Sequence, residues 1–209
     1  MTEALGEPHA SRLSACLASG GVALFPTDTV YGLGCDPERR AAVERLYALK
    51  GRAADRPAAV MFFALSAALG ALPELGARER AAIEALVPGP VTLILPNRAR
   101  RFPLACGPDP GTLGLRVPLL TASLSALSAV PGAVLQSSAN LSGDKDARRL
   151  AEVPVRLRDE ADLVLDCGEL PGVASTVIDL RSYEASGDWR VLRTGPLAEA
   201  SLAAALAAC

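Results

Sequence analysis

The chain has a single histidine, His9, close to its amino terminus. That scarcity argues against a Ser-His-Asp triad and against a histidine-based metal centre. Its five cysteines, Cys16, Cys35, Cys106, Cys167 and Cys209, are odd in number and form no C-x-x-C pair. They read as free thiols, each a small core residue, and not as a disulfide frame or zinc site. Aromatic residues make up 4% of the 209 positions, so a core must come from aliphatic side chains and alanine. The 50% apolar fraction supplies it. No apolar run approaches the roughly 18 residues of a membrane span, and no basic-then-apolar leader opens the chain. The expectation is a soluble cytoplasmic protein with no membrane partner. Lysine is scarce as well: of 21 basic residues only Lys50 and Lys145 are lysines. Such a bias makes each one either chance or a place that needs a compact ammonium. The net charge of −2 gives no global basic field for nonspecific nucleic-acid binding. Two nucleotide signatures are missing too. There is no G-x-x-x-x-G-K-[ST], and Gly32-Leu33-Gly34 is only a fragment of G-x-G-x-x-G. Any nucleotide must be held in another way.

What is present centres on Phe25-Pro26-Thr27-Asp28-Thr29-Val30-Tyr31-Gly32-Leu33-Gly34. The apolar run Gly21 to Phe25 predicts a buried strand. Pro26 ends its pairing, having no N–H to donate. Asp36-Pro37 predicts a helix start, with Asp36 as N-cap and Pro37 at the first helical position. Polar residues thus stand on a glycine-bearing loop at a strand's carboxyl end, where open α/β sheets bind ligands. Ordinary turn chemistry would use the same residues.

Periodicity predicts strands over 22–25, 57–63, 91–95, 112–118, 133–136, 163–166, 175–180 and 189–193. It predicts helices over 9–19, 37–49, 65–71, 76–86, 121–129, 147–152, 154–160 and 197–208. Gly51 reads as the C-cap of the 37–49 helix. Residues 97–111, with Arg98, Arg100 and Arg101, read as an exposed loop. Short strand–strand links predict a mixed α/β sheet with flanking helices, and no inter-domain linker is visible, so residues 1–209 are expected to form one domain.

Polar clusters follow several strands: Thr27/Asp28/Thr29, Lys50/Arg52, Ser137/Ser138/Asn140, Ser175/Thr176 and Arg193. If they converge, cations and hydroxyls meet without a histidine or a cysteine pair. Such a set suits phosphates and a carboxylate, because Arg grips oxyanions bidentately and Lys acts as a point charge.

Taken in order, these segments resemble the YrdC/TsaC-type threonylcarbamoyl-adenylate synthases over about residues 11–196. The residues that carry the likeness are Pro26 to Gly34, Lys50-Gly51-Arg52, Pro88-Gly89-Pro90-Val91-Thr92, Leu115-Arg116-Val117-Pro118, Ser138-Ala139-Asn140-Leu141-Ser142-Gly143, Ser175-Thr176-Val177 and Arg193-Thr194-Gly195. The resemblance implies a twisted mixed sheet around a positively charged cavity. It implies that ATP, L-threonine and bicarbonate give threonylcarbamoyl-AMP and pyrophosphate, for modification of the adenosine beside the anticodon of certain tRNAs. Lys50 and Arg52 would be catalytic, holding phosphate and carbamate oxygens. Thr27, Thr29, Arg52, Arg116 and Ser175 would contact threonine or bicarbonate. Lys50, Ser138, Asn140, Ser175 and Arg193 would contact the nucleotide. Mg2+ would be held mainly by the ATP phosphates, with no protein ligand set. Downstream threonylcarbamoyl-transferase proteins are the implied partners, and a weak tRNA contact is compatible with the family. Three departures touch the loops: Ser137 in place of the frequent proline, Ala174 in place of a larger or acidic residue, and Asp144-Lys145-Asp146 after Gly143. The length resembles the short form, without the extra C-terminal domain of the longer synthases. The rival readings are a non-catalytic RNA-binding or ribosome-assembly module of the same fold, which the acidic pI of about 5.5 disfavours, and the related carbamoyl-transfer domain of hydrogenase-maturation proteins, which normally keeps company with zinc-finger-like cysteines.

Overall fold

The computed structural model describes residues 4–53 and 55–208. Cys209 lies outside them, and so does its reading as a core thiol. The strands are β1 (Ala23–Pro26), β2 (Tyr31–Cys35), β3 (Ala59–Met61), β4 (Val91–Pro96), β5 (Thr112–Arg116), β6 (Val134–Ser138), β7 (Leu163–Val164), β8 (Thr176–Asp179) and β9 (Arg190–Arg193). They form one sheet in the order β7-β1-β2-β6-β3-β5-β4-β8-β9. β1 is parallel to β7, β3 to β5 and β4 to β8; every other neighbouring pair is antiparallel. The sheet is therefore mixed, as its short links predict.

Around it lie α1 (Glu7–Ala18), α2 (Arg40–Lys50), α3 (Leu65–Ala71), α4 (Ala77–Leu86), α5 (Val155–Glu160), α6 (Tyr183–Ser186) and α7 (Glu199–Ala207). Alternate residues of the central strands point to opposite faces. Val60, Leu93, Leu115, Leu135 and Ile178 share one parity and are fully buried in the core. The opposite parity, including Ala59, Ile94 and Gly114, is only partly covered. That half-covered face becomes the site. Cys35, Cys106 and Cys167 are buried and free, while Cys16 is half-buried. Burial pushes the Cys35 thiol up to about 12, so it stays protonated.

Several expectations need correction. The glycine-bearing loop after Pro26 is mostly strand β2, the return arm of a hairpin with β1. Gly32 and Gly34 punctuate nothing there. A Cβ on Gly34 would stand 2.7 Å from Val134 Cγ1 and 2.8 Å from Phe25 Cε1. The glycines admit neighbours from β1 and β6, and β6 lies a hundred residues downstream. Helix α2 starts at Arg40 and not at Pro37. Asp36 Oδ1 instead accepts the Glu38 N–H at 2.9 Å, an Asx-type turn before the helix. Gly51 does close α2, with φ 60°. Segment 122–129 is 3-10 and not α. Ser125 and Ser128 hydroxyls donate to the Ala122 and Ser125 carbonyls, competing for the helix's own acceptors. Only Leu150–Glu152 of the 147–152 helix forms, as 3-10. The 97–111 loop contains a 3-10 turn at Pro103–Ala105, and α6 was not foreseen. Strand β6 runs on through Ser137 and Ser138, which the sequence reading assigned to a loop.

The turn after β9 fits closely under β8. A Cβ on Gly195 would stand 2.3 Å from the Thr176 backbone N and 2.5 Å from the Ala174 carbonyl O. Both are backbone atoms, so relief requires the chain to move. Gly195→Ala is expected to cost about 1–3 kcal/mol, read as a lower melting temperature; an unchanged melting curve would show that the turn can shift freely.

Candidate functional site

A cavity of about 430 Å³ lies across the half-covered face of the sheet, within the roughly 300–1,000 Å³ of small-molecule sites. Its floor is small and apolar. Gln136, Ala59, Gly114 and Ile94 are register neighbours on β6, β3, β5 and β4, and all four line it. The sequence reading placed ligands at strand ends. Antiparallel neighbours such as β6 and β3, or β5 and β4, point their carboxyl ends opposite ways, so the floor strands share no single carboxyl edge, and the concavity forms over the face instead. Arg52, Arg116, Arg181 and Arg193 line the walls, with Asp146 the one carboxylate among the described lining residues.

Of the residues singled out from sequence, Arg52, Arg116, Ser138, Ser175 and Arg193 line this cavity. Thr27, Thr29, Lys50 and Asn140 are buried just behind its wall. Their hydrogen bonds show what each one holds.

Arg116, at the end of β5, is anchored by the turn between β1 and β2. Its Nη2 donates to Asp28 Oδ1 at 2.5 Å, Thr29 Oγ1 at 2.6 Å and Thr27 Oγ1 at 3.3 Å. Both ends of the Arg116–Asp28 pair are 4% exposed. The other carboxylate oxygen, Asp28 Oδ2, accepts the Leu119 N–H at 3.0 Å. Thr27 in turn donates to the Val30 carbonyl at 2.7 Å, closing the turn. The threonines and Asp28 therefore aim a buried guanidinium at the cavity, one edge fully occupied.

Lys50 is the last residue of α2, and Gly51 turns the chain so that Arg52 faces the cavity. The Lys50 ammonium donates to the Ser138 carbonyl and to Asn140 Oδ1, the latter at 3.0 Å. Asn140 Oδ1 also accepts the Ser138 hydroxyl at 2.6 Å, and Asn140 Nδ2 donates to the Asp144 carbonyl at 2.6 Å. Burial, with Arg52 nearby, lowers the Lys50 pKa to about 8, and Asp146 opposes the shift. Arg52 Nη1 reaches Ser137 Oγ at 3.4 Å and its Nη2 the Pro57 carbonyl at 2.5 Å. Its guanidinium carbon lies 5.9 Å from the centroid of the Tyr47 ring. Burial lowers the Arg52 and Arg193 pKa values, yet guanidinium groups stay charged.

On the far wall Arg193 Nη2 donates to the Ser175 carbonyl at 2.8 Å and its hydroxyl at 3.2 Å. Ser175 Oγ pairs with Thr92 Oγ1 at 2.8 Å. Arg181 completes this end, held by Asp179 at 2.7 Å.

The sequence reading gave no site role to Asp28, Gln136, Asp146 or Arg181. Asp28 was visible between the two threonines, and Asp146 in the mixed-charge run. Gln136 ends an apolar strand and Arg181 follows one; neither carries a local signal. Four buried side-chain atoms among the described residues have no hydrogen-bond partner, and three belong to cavity residues: Arg52 Nε, Arg116 Nε and Gln136 Nε2. No cysteine, histidine or lysine is among the described lining residues, and the described residues hold no group of three or more His, Cys, Asp or Glu able to bind a metal ion. The arrangement suits oxyanions and offers charge stabilisation without a cysteine, histidine or lysine nucleophile.

Residues 15–195 match the Sua5/YciO/YrdC family model, described as "Telomere recombination". A threonylcarbamoyl-AMP synthase of Halorhodospira halophila is 42% identical over 140 residues, covering 66% of this chain and 71% of that protein. A putative threonylcarbamoyl-AMP synthase of Mycobacterium leprae is 36% identical over 196 residues, covering 92% and 85%. The crystal structure of P. abyssi Sua5 complexed with L-threonine superposes with a TM-score of 0.83 at 27% identity. It covers 97% of this chain, which spans only 58% of the Sua5 chain.

Proposed function

The chain belongs to the Sua5/YciO/YrdC family, and on that premise we propose that it is a threonylcarbamoyl-AMP synthase. ATP, L-threonine and bicarbonate yield threonylcarbamoyl-AMP, pyrophosphate and water, for threonylcarbamoyladenosine in tRNA. Residues 11–196 act as one catalytic unit, in the cytoplasm. The product passes to downstream threonylcarbamoyl-transferase proteins, and a weak tRNA contact is compatible with this reading.

The observation that carries the proposal is a cavity with four arginines in its walls, Arg52, Arg116, Arg181 and Arg193. The threonine amine condenses with bicarbonate to a carbamate, losing water. A carbamate oxygen then attacks the α-phosphorus, and pyrophosphate leaves. Negative charge builds on the phosphoryl oxygens, so positioning and neutralisation do the catalysis. Arg116, set by Thr27, Asp28 and Thr29, receives the threonine carboxylate. Arg52 takes carbamate and phosphate oxygens. Lys50 contributes charge from behind and braces Ser138 and Asn140 against the nucleotide. Arg193 and Ser175 hold phosphates. One lining carboxylate, Asp146, is too few for a protein-built cage, which suits an ion carried by the substrate: Mg2+ held by the ATP phosphates would neutralise part of their charge.

The test is pyrophosphate release from ATP by the purified protein, with threonine and bicarbonate omitted in turn. Release that requires both is the expected result. ATP cleavage indifferent to threonine, or no cleavage by folded protein, overturns the proposal.

A further inference from the structure

Arg181 differs from the other arginines of the cavity. Its Nε and Nη2 donate to the two oxygens of Asp179, at 2.9 Å and 2.7 Å. That is the fork edge with which a guanidinium grips an oxyanion, and a carboxylate of the fold already fills it. Arg190 Nη2 also donates to Asp179 Oδ2, at 3.1 Å, and the Arg181 backbone N–H to Oδ1, at 3.1 Å. The Arg181 side chain, followed by its backbone N–H and Arg190, holds the Asp179 carboxyl down at about 2, so the pair stays charged. The Asp179 side chain is 8% exposed and that of Arg181 42%. Arg181 is therefore pinned yet uncovered. It keeps its planar faces and its Nη1, which makes no hydrogen bond among the described residues.

Beside this plane the cavity is apolar. Asp179 pairs in register with Ile94, and Val177 with Thr92, two residues back along β8. Ile94 and Val177 are half-buried and line the cavity. Leu192 joins them from β9 through a bulge: Val177 faces Arg193 and Ile178 faces Val191, so Leu192 is the extra residue. A bulge re-aims the side chains around it, and here both Leu192 and Arg193 line the cavity. Leu192 is 49% exposed. A guanidinium whose fork is occupied, next to partly uncovered aliphatic side chains, is poorly matched to a phosphate. It is matched to a planar heteroaromatic ring, whose faces accept both aliphatic contact and a guanidinium. Spacing agrees with a nucleotide laid along β8. Arg193, assigned to the phosphates, is level with Val177, and Asp179 lies two residues further on, roughly 7 Å at the rise of a strand.

We propose that Arg181, pinned by Asp179, is a substrate-contacting specificity residue whose guanidinium stacks on the purine base of the nucleotide, beside Ile94, Val177 and Leu192. That the ring is adenine rests on the synthase reading; the place for a planar ring rests on the geometry.

Two probes separate ring from phosphate. Adenosine carries the ring without phosphates, and inorganic pyrophosphate the phosphates without the ring. Calorimetric titration of each is compared in the wild type, Arg181→Ala and Arg181→Lys. Alanine leaves Asp179 with Arg190 and a backbone N–H, so the fold is expected to persist. Lysine keeps the charge on Asp179 without the plane, and serves alone if the alanine variant does not fold. Both variants are expected to raise the Kd of adenosine about threefold to 30-fold and to leave that of pyrophosphate within about twofold. The KM for ATP should rise with the adenosine Kd, and those for threonine and bicarbonate should not. Wild-type affinity for adenosine in either variant overturns the proposal, as does weakened pyrophosphate binding, which would make Arg181 a phosphate grip. A wild type that binds no adenosine overturns it as well. If the wild type binds adenosine but releases no pyrophosphate from ATP, the synthase reading fails and the adenosine titrations still decide the role of Arg181.

Discussion

Arg116→Leu is expected to abolish adenylate formation and to lower the unfolding free energy by about 3–5 kcal/mol, the usual cost of leaving one member of a buried ion pair alone. Asp28 and Arg116 are both 4% exposed, so solvent cannot replace the lost guanidinium. The stranded carboxylate keeps only the Leu119 N–H. Thr27 and Thr29 lose an acceptor role at the same time. The double variant Asp28→Asn, Arg116→Leu separates the two losses. A neutral amide can still accept from Leu119, so most of the stability should return. Activity should not, because the cavity still lacks its cation. Denaturant unfolding and the pyrophosphate assay measure the two quantities on the same preparations. If the double variant stayed as unstable as the single one, the ion pair would not be the source of the cost; if Arg116→Leu kept its turnover, Arg116 would not be part of the site.

Lys50 gives the second large effect, through pH. Its folded pKa of about 8 lies below the ordinary 10.5, because burial disfavours the ammonium. Between these two values the unfolded chain holds a proton that the folded chain has released. Stability should therefore rise as pH rises from 8 to 10.5, by about 3 kcal/mol for this group. At pH 7 the charged lysine is a cost to the fold, borne for an anionic ligand. Turnover runs the other way. Above pH 8 the free enzyme loses the cation, so kcat/KM for ATP should fall about tenfold per pH unit. Bound phosphates raise the lysine pKa again, so kcat should fall only at higher pH. Lys50→Met should lower kcat/KM by about 10²–10³, and remove both the alkaline limb and the gain in stability. Substitution by alanine is a poorer probe: it opens a cavity and strips the Ser138 carbonyl and Asn140 of their buried donor, so a loss of fold would accompany the loss of activity. A wild-type stability profile parallel to that of Lys50→Met from pH 7 to 10 would contradict the burial argument.

What the sequence by itself determined is local. Apolar periodicity located the central strands, because alternating side chains must choose between core and cavity. Gly51 ended α2, because a left-handed residue stops a helix wherever it occurs. Short links between strands implied antiparallel pairing, hence a mixed sheet. The order of the polar segments identified residues that the structure gathers around one cavity: Arg52, Arg116, Ser138, Ser175 and Arg193 lining it, Lys50, Asn140, Thr27 and Thr29 supporting it. Tertiary structure alone decided the rest. Gly32 and Gly34 read locally as loop residues; they form a strand because Phe25, Val134 and Gln136 crowd them from β1 and β6. Asp28 owes its partner to β5, 88 residues away. Gln136 and Arg181 became cavity residues through sheet register and the placement of a turn, neither of which leaves a trace in neighbouring sequence. A side chain's periodicity is set by its own strand, but its surroundings are set by strands that fold against it from far along the chain.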